Sequence, residues 1–306
     1  MQSLISNLRP AQARLIVAIA ERGQLQLAAQ ACQMTQPAAS RALAEVERAL
    51  NAPLFRRTPK GMEPTVIGSI VARRAQRIVL ELRDMDRDLR DLRAGRGGRV
   101  RVGAVTGPAL GYVVPAIQEL KQTAPRADIS VDVAPSIILS DALLRGDLDF
   151  ALARIPADVE PADFDIAPAR DEKVSLVVRA GHPLAGATAV DLADLATLPW
   201  VLQERGAPIR NAVDAGFAAI GRPSPADVVT TSSLLVIIAM LVDTDAVAAM
   251  TDEVAELIMS DRVAARFRRL DVRRPIEVEP YLLLKSRYRV LSPLAQRLYT
   301  LVQARL

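Results

Sequence analysis

The sequence has very little of the side chains that most often carry enzyme chemistry: its 306 residues include one cysteine, Cys32, and one histidine, His182. A single cysteine forms no internal disulfide and no metal cluster. The histidine lies in a Gly-His-Pro-Leu turn, far from an acid–base partner, and we interpret it as structural. The segment 103–107 has neither P-loop nor dinucleotide-binding spacing. We therefore expect no enzymatic activity, no cofactor and no metal, and we assign Cys32 to the core.

Aromatic residues and long apolar runs are also scarce. Because 3% of the residues are aromatic while 50% are hydrophobic, aliphatic side chains must fill the core. No run approaches the ~20 uncharged apolar residues that a membrane helix needs. Residues 1–10 lack the layout of an export signal. We expect a cytoplasmic protein of two or three domains.

Charge is unevenly distributed along the chain. Residues 1–99 carry 17 basic and nine acidic side chains, a net charge of +8. Residues 100–306 carry 22 basic and 26 acidic side chains, a net charge of −4. A basic front end on a mildly acidic body indicates a polyanionic partner for the front end, with solvated helix faces as the alternative explanation.

The first 65 residues have the pattern of a winged helix-turn-helix. Apolar periodicity predicts helices at 10–22 and 25–31. Thr35 is a good N-cap for a third helix, which has Pro37 in its first turn and runs to about Leu50. Proline and glycine then punctuate residues 54–65, as in a hairpin or wing.

The third helix is predicted to enter the major groove of double-stranded DNA, which admits an α-helix. Glutamine pairs with adenine, arginine with guanine, and alanine contacts the thymine methyl group. Basic side chains on the wing bind phosphates and add affinity without sequence information. The predicted DNA-binding residues are Thr35, Gln36, Pro37, Ala38, Ser40, Arg41, Arg56, Arg57 and Lys60.

A long helix is predicted at about 66–93, with apolar residues at the 4,3 spacing of a heptad seam. The seam residues are Val71, Ala75, Ile78, Leu82, Met85, Leu89 and Leu92. Because charged residues flank the seam, we expect it to pair two subunits; packing on its own domain is the alternative. Two DNA-binding domains paired in this way predict a palindromic DNA site.

Strands and helices alternate after the glycine-rich segment 95–99. A strand–helix–strand–helix–strand order over residues 100–153 predicts a parallel sheet with helices on both faces. A second α/β region covers about 167–272. The predicted fold class is α/β overall, with an N-terminal all-α winged helix-turn-helix, a long linker helix and a C-terminal α/β domain.

Several motifs resemble the N-terminal signature of LysR-type transcriptional regulators. They are Ala28-Ala29, Thr35-Gln36-Pro37-Ala38-Ala39-Ser40-Arg41, Glu47, Leu54-Phe55-Arg56-Arg57, Thr65 and Gly68, with Gly181-His182-Pro183-Leu184 further along the chain. Asn51 stands where the family usually has glycine, and asparagine tolerates a left-handed cap. The segment from Trp200 to Arg210 is similar to regulators of sugar and aromatic catabolism.

The resemblance implies a sequence-specific DNA-binding transcriptional regulator that a small-molecule inducer controls. Its C-terminal domain is expected to have two subdomains, like a periplasmic solute-binding protein. The implied boundaries are 1–65 for the DNA-binding domain, 66–94 for the linker and dimerisation helix, and 95–306 for the effector-binding domain, with subdomain I at about 99–168 plus 276–306 and subdomain II at about 169–275. The implied assembly is a homodimer through the linker helix and then a tetramer, with RNA polymerase as a further candidate partner.

In this family the inducer binds in the cleft between the two subdomains. Polar side chains after strands and at helix starts suit an anionic or polar ligand, so we expect a carboxylate-bearing metabolite with Arg154 or Arg210 as its counter-charge. The predicted ligand-binding residues are Thr106, Ser136, Arg154, Arg210, Thr231 and Ser232. Each has an ordinary alternative, since serine and threonine cap helices and arginine is mostly a surface residue.

Two other functions stay open at this point. The effector domain of a DNA-binding regulator can be independent of any ligand. A solute-binding protein shares the α/β architecture, but it would need an export signal and no basic front end.

Overall fold

The computed structural model of the protein describes residues 8–59, 61–93, 98–157, 159–260, 263 and 266–306. The chain forms two units. The N-terminal unit ends at Gly98 and also includes Ser286–Val290, and the C-terminal unit consists of Arg99–Lys285 and Leu291–Leu306. Among the described residues, no helix combines the length and the apolarity that crossing a bilayer requires.

The N-terminal unit is a helix-turn-helix followed by a hairpin and a long helix. Its described elements are α1 (Pro10–Arg22), α2 (Leu25–Ala31), α3 (Gln36–Leu50), the antiparallel strands β1 (Phe55–Thr58) and β2 (Gly61–Pro64), and α4 (Val66–Arg93). Thr35 caps α3, because its Oγ1 accepts the Ala38 N–H at 3.4 Å. Asn51 ends α3 in the left-handed conformation, with φ of 52°, so asparagine takes the place of the more usual glycine.

Aliphatic side chains of α1 form the centre of this unit's core. Leu15, Ile16 and Ile19 are at most 1% exposed and pack with small residues of the neighbouring helices, among them Ala28 and Ala39. Full burial of such an aliphatic side chain contributes about 1.5–3 kcal/mol. The scarcity of aromatic residues is therefore met by close packing of aliphatic side chains against alanines.

Gly68, in the first turn of α4, lies directly against the residue that precedes the wing. A Cβ at this position would lie 1.8 Å from the carbonyl oxygen of Leu54, so no larger residue fits. The Thr65 hydroxyl donates to the carbonyl oxygen of Pro53 at 2.8 Å and accepts the Gly68 N–H at 3.0 Å. Thr65 and Gly68 thus fix the start of α4 against the start of the wing.

A distant segment, Ser286–Val290, also belongs to the N-terminal unit. The Arg289 guanidinium is bonded to the Asp84 carboxylate of α4, with Nε–Oδ2 and Nη2–Oδ1 distances of 2.6 and 2.9 Å. The Arg77 guanidinium lies 4.5 Å from the centre of the Tyr288 ring, a cation–π contact. Nothing in the sequence pattern indicated this packing.

The C-terminal unit contains two sheets, which define two subdomains. The first sheet has the order β4-β3-β5-β13-β6, with β3 parallel to both β4 and β5. Its strands are β3 (Arg99–Ala104), β4 (Asp128–Val133), β5 (Phe150–Ala153), β6 (Phe164–Pro168) and β13 (Leu282–Ser286), and its helices are α5 (Thr106–Pro108), α6 (Val114–Thr123), α7 (Ser136–Arg145) and α12 (Pro293–Gln303). A π-helical turn, Ala109–Val113, joins α5 to α6.

The second sheet has the order β11-β7-β10-β8-β9, and β12 also pairs with β7. Its strands are β7 (Glu172–Arg179), β8 (Trp200–Leu202), β9 (Val228–Thr230), β10 (Val247–Thr251), β11 (Phe267–Arg269) and β12 (Ile276–Val278), and its helices are α8 (Leu192–Leu195), α9 (Pro208–Ala219), α10 (Leu234–Asp243) and α11 (Asp252–Met259). Strands β10, β8 and β9 are parallel neighbours, which matches the α/β fold class expected from the sequence.

The chain crosses between the two sheets after β6 and again after β12. The sequence predicts the second crossing at about Ile276, whereas in the structure it lies beyond Val278. Residues 276–278 pair with β7, and Ile276 and Val278 are buried in the second core. The return to the first sheet begins beyond Val278, where Pro280 lacks the N–H that a continuing strand would use.

Candidate DNA-reading surface and effector site

The N-terminal end of α3 presents a polar face to solvent. Thr35, Gln36, Pro37, Ser40 and Arg41 are exposed, and Ala38 is half-buried. The opposite face of the helix, Ala39, Leu43 and Val46, is buried in the core. The helix is therefore held by its apolar side while six of the residues predicted to contact DNA are on the surface or partly so.

The hairpin β1–β2 carries two exposed arginines that differ in their partners. Arg56 lies opposite Glu63 in the register, and its Nη2 is 3.3 Å from a Glu63 carboxylate oxygen. Arg57 has no ion pair within the described part of the chain and is the freer cation of the two. The third predicted wing residue, Lys60, lies outside the described residues.

Glu47, on α3, has a role that the sequence reasoning did not assign. Its Oε1 accepts the backbone N–H of Leu54 at 2.8 Å and that of Phe55 at 3.3 Å. Leu54 and Phe55 are buried at the start of the wing. One carboxylate oxygen thus fastens the wing to the helix that carries the polar face. The residue stood in the family motif, but this contact exists only once the chain has turned back on α3.

The predicted heptad seam of α4 divides into two parts. Val71 and Ala75 pack into the core of their own domain, which corrects the prediction that they face a second subunit. Ile78, Met85 and Leu89 are 42%, 56% and 47% exposed. Leu82 is half-buried, and the side chain of Leu92 lies outside the described residues. Among the described seam residues, the exposed ones therefore begin at Ile78, and a separate exposed apolar group, Val66, Ile67 and Ile70, lies at the start of the helix.

Cys32 and His182, which we interpret from the sequence as structural residues, both pack against other parts of the protein. Cys32 packs against the N-terminal core, and burial raises the pKa of its thiol even though Arg14 and Arg22 act in the opposite direction. The thiol therefore stays protonated at neutral pH. His182 is buried, and its Nδ1 accepts the Leu184 N–H at 3.1 Å within the turn. Within the described ranges, no group of three or more His, Cys, Asp or Glu side chains is arranged to hold a metal ion.

In the first subdomain, two predicted ligand residues follow neighbouring parallel strands. Thr106 begins the helix after β3 and is exposed, and Ser136 begins the helix after β4 and is half-buried. The Ser136 hydroxyl oxygen accepts the Arg154 backbone N–H at 3.1 Å. Because the carboxyl ends of parallel neighbours meet at one edge of a sheet, Thr106 and Ser136 belong to the same edge.

The Arg154 guanidinium is largely buried and is engaged on two sides. Its Nη2 pairs with the Glu172 carboxylate, and its Nε donates to the carbonyl oxygen of Glu279 at 2.7 Å. Glu172 begins β7, and Glu279 lies in the crossing that follows β12. Burial raises the pKa of Glu172, and the neighbouring Arg154 partly opposes this. Arg154 thus joins the two crossings.

Gly107 marks a close approach between the subdomains. A Cβ on it would lie 2.6 Å from Thr251 Oγ1, 3.0 Å from Glu253 Oε2 and 3.1 Å from Glu172 Oε1. Thr251 Oγ1 and Glu253 Oε2 are buried atoms without a hydrogen-bond partner among the described residues. The start of α5 therefore lies directly on polar groups of the second subdomain.

In the second subdomain, the predicted ligand residues lie in two places. Thr231 and Ser232 follow β9, and Thr231 Oγ1 accepts the Ser233 N–H at 3.1 Å. Arg210 lies in the first turn of α9 and is 4% exposed. It lines a pocket of about 600 Å³ whose walls are Glu204, Arg205, Arg210, Pro223, Ser224, Pro225, Ala226, Val228 and Thr230. No other predicted ligand residue lines that pocket.

The sequence pattern of the family described as "Bacterial regulatory helix-turn-helix protein, lysR family" matches residues 10–69. That of the "LysR substrate binding domain" matches residues 93–306, well over half of the chain. This protein belongs to the LysR family. As a LysR-family protein it is a DNA-binding transcriptional regulator with a substrate-binding effector domain.

Named relatives support this membership. A regulator called GbpR from Rhizobium radiobacter is 41% identical over 247 residues, which cover 80% of this chain and 82% of the relative. A GbpR from Azospirillum brasilense is 34% identical over 95% of this chain and 84% of its own length. Both are described as HTH-type transcriptional regulators.

Solved LysR-family structures share the fold over nearly the whole chain. A full-length OxyR variant from Pseudomonas aeruginosa matches with a TM-score of 0.59 and 21% identity, covering 97% of this chain and 95% of that one. Full-length CbnR complexed with its target DNA matches with a TM-score of 0.55 and 20% identity, covering 98% and 100%. At these identities the likeness concerns the fold alone.

Proposed function

We propose that this LysR-family regulator reads a DNA site with the N-terminal half of α3, and that a small molecule bound by its C-terminal unit controls this reading in the cytoplasm. The proposed division of labour is residues 1–65 for reading, 66–94 for pairing subunits and 95–306 for effector binding. The observation that carries the proposal is the exposed polar end of α3 on a helix whose other face is buried.

The side chains at that end have the chemistry of base recognition. Gln36 supplies an amide that pairs with adenine in the major groove, and Arg41 supplies a fork that pairs with guanine. Arg57, on the wing, supplies a cation for phosphate. Thr35, Pro37, Ala38 and Ser40 complete the surface that would face the groove, beside Arg56 and Lys60 on the wing.

A second copy of the chain is the proposed partner of α4. Ile78, Met85 and Leu89 are separated by seven and four residues, which places them on one stripe of a helix. Their exposure supports pairing through this stripe into a homodimer, with a tetramer as the larger assembly and a palindromic promoter site as the target. RNA polymerase is a candidate partner of the bound assembly.

For the inducer, we propose a contact surface made of hydroxyl groups at strand ends, from Thr106, Ser136, Thr231 and Ser232. The Nε and Nη2 of Arg154 already have protein partners, so its proposed role is to hold the crossings that such a ligand would move. We propose that the ligand is bound and released unchanged.

The reading surface is tested with the double variant Gln36→Ala/Arg41→Ala on DNA sites that the natural protein selects from a random library. Each lost base contact is expected to reduce discrimination by about 1–3 kcal/mol, roughly fivefold to 150-fold, while salt-dependent binding persists. Arg48→Ala is the matched control, because Arg48 is an exposed arginine in the last turn of the same helix. Unchanged sequence preference in the double variant would contradict the proposal.

The control by a ligand is tested separately with footprints of the same DNA, recorded with and without compounds that raise the melting temperature of the protein. Sugar acids and aromatic acids form the first panel. A compound that binds is expected to change the footprint or the DNA bend. Identical footprints in its presence would leave DNA reading in place and contradict ligand control.

A further inference from the structure

Arg210 is a buried cation whose hydrogen-bonding capacity is only partly used. Its Nε lies 3.0 and 2.9 Å from the two carboxylate oxygens of Asp214, one helical turn further along α9. Its Nη1 and Nη2 groups have no hydrogen-bond acceptor among the described residues, and they are not fully enclosed, so a ligand in solvent can reach them. A guanidinium carries five N–H donors, so most of its donors lack a protein partner at a position that is 4% exposed.

The backbone around Arg210 has unmet donors as well. α9 begins after Ala207, which offers no side-chain cap, and the first residue of the helix is Pro208. The Asn211 N–H opens the helical ladder by donating to the carbonyl oxygen of Ala207 at 2.9 Å. The N–H groups of Ile209 and Arg210 belong to the first turn, where no intrahelical acceptor exists.

The Arg210 guanidinium and the N-terminal end of α9 are both electrostatically positive. The N-terminus of a helix is equivalent to roughly half a positive charge, which makes a cation in the first turn unfavourable. Asp214 offsets part of this, but it is 32% exposed and bonds only the Nε of the guanidinium. An anion seated against Arg210 would relieve the remaining imbalance and occupy the free donors.

The pocket in front of Arg210 fits an organic anion of small size. A volume of about 600 Å³ lies in the range of ligand sites in proteins. Pro225, Ala226 and Val228 supply an apolar wall, and Thr230 supplies a hydroxyl. Glu204 and Arg205 also line the pocket and carry opposite charges, so the charge of the lining is about that of Arg210 alone, which suits a singly charged carboxylate better than a phosphate dianion.

We infer that this pocket of the second subdomain is a carboxylate-binding site, in which the Nη groups of Arg210 hold a small organic monocarboxylate in a bidentate pair. Planar guanidinium and carboxylate groups match in this geometry. The inference deepens the proposed function and rests on it: it selects Arg210 over Arg154 as the counter-charge and places the carboxylate in a pocket whose lining comes only from the second subdomain.

Calorimetric titration of the full chain tests the site, with D-gluconate and benzoate as carboxylate probes, inorganic phosphate as the dianion and D-glucose as the uncharged control. At least one carboxylate is expected to bind, and Arg210→Gln/Asp214→Asn to weaken it by about tenfold or more, the usual effect of losing charge-assisted hydrogen bonds. Arg179→Gln/Asp245→Asn is the matched control: it neutralises an arginine–aspartate pair of the same subdomain that does not line the pocket, and it should bind as the natural protein does.

The double substitution removes both charges of the pair, so no unpaired buried charge is left to unfold the protein. If that variant nevertheless fails to fold, Arg210→Lys keeps the charge, loses the fork and is expected to weaken the carboxylate in the same direction. The assignment would be overturned by carboxylate binding that is equally strong in these variants, or by the absence of any carboxylate binding. Arg210-dependent binding of phosphate alone would also overturn it. DNA affinity in the absence of anion should be unchanged, so failure here leaves the reading of DNA untouched.

Discussion

The two units of this protein place their polar side chains in opposite ways. In the N-terminal unit, Gln36 and Arg41 are exposed on a helix that an apolar core holds from the other side. In the C-terminal unit, three charged groups near the candidate sites are largely buried: Arg154 and Glu172 are 13% and 3% exposed at the side chain, and Arg210 is 4% exposed. In the first unit, the residues proposed to read DNA are therefore separate from those that stabilise the fold. In the second unit, buried charged groups near the candidate ligand sites also contribute to stability.

The physical reason is the cost of burying charge. Removing an exposed cation costs little free energy, because water solvates the partner that remains. Removing a buried cation costs much more, because its partner stays buried without water or a counter-charge. Residues on a surface that reads DNA can be substituted without unfolding the protein, because they are exposed to solvent. A ligand site needs groups whose interactions water does not screen, and such groups also carry part of the stability.

Arg154→Ala should have the largest effect on stability. It leaves the Glu172 carboxylate buried without its partner, so the free energy of unfolding is expected to fall by about 3–5 kcal/mol. Arg145→Ala is the control, because the Arg145 and Asp141 side chains are 47% and 64% exposed and such pairs contribute about 0–1 kcal/mol. Urea unfolding followed by circular dichroism measures both. Equal losses would break the contrast between exposed and buried charge.

Glu47→Ala tests a charged side chain of the N-terminal unit whose contacts hold the fold together, as those of Arg154 do in the C-terminal unit. The buried N–H groups of Leu54 and Phe55 lose their acceptor, at an expected cost of about 1–3 kcal/mol, and DNA affinity falls because the wing is no longer fixed to α3. Glu47→Gln keeps an oxygen acceptor and should lose less of both. If the two variants lose equally in unfolding experiments, the acceptor role assigned to Glu47 is wrong.

Arg57→Ala should change DNA binding and leave stability alone. A lost phosphate contact is expected to reduce the slope of log affinity against log salt by about 0.9, with sequence preference unchanged. Arg56→Ala is the comparison, since Arg56 is already paired with Glu63 in the free protein. Titrations at several salt concentrations give the slopes. A shift in preferred sequence would instead place Arg57 among the base contacts.

The smallest effect concerns pH. Burial raises the pKa of Glu172 above its ordinary value of 4.5, so the folded state binds this proton more tightly than the unfolded state does. Its contribution to stability is therefore complete below the ordinary pKa and is lost as the pH rises through the raised one. Glu172→Gln should remove this loss, so the stability of the natural protein relative to the variant should decline as the pH increases above about 4.5. A difference that stays constant with pH would contradict the shift.

The features that sequence reasoning predicted are those fixed by short-range interactions. Thr35 caps α3 and Asn51 ends it because cap geometry depends on the backbone within one turn. The alternation of strands and helices followed from apolar periodicity for the same reason. The second crossing was misplaced because residues 276–278 form a strand of only three residues, with a charged residue between two apolar ones, and such a strand suits either sheet until its partner is known.

Burial decided what the periodicity of α4 left open. Val71, Ala75, Ile78 and Met85 belong to one heptad pattern, yet the first two pack into their own domain and the others are exposed. A heptad pattern states which face of a helix is apolar, but not what covers each part of that face. That depends on how far the neighbouring helix α1 extends alongside.

The sequence by itself determined the family, the helix-turn-helix with its polar α3 end and the α/β character of the second unit, since motifs and periodicity are local properties of the chain. Tertiary structure alone decided which charges are buried and which groups they contact: Glu47 contacts the start of the wing, Arg289 contacts Asp84, Arg154 contacts Glu172, and Arg210 contacts Asp214 beside a pocket. These partners come together only on folding, and the free energy of a charge depends on the water and the counter-charges that the fold leaves around it.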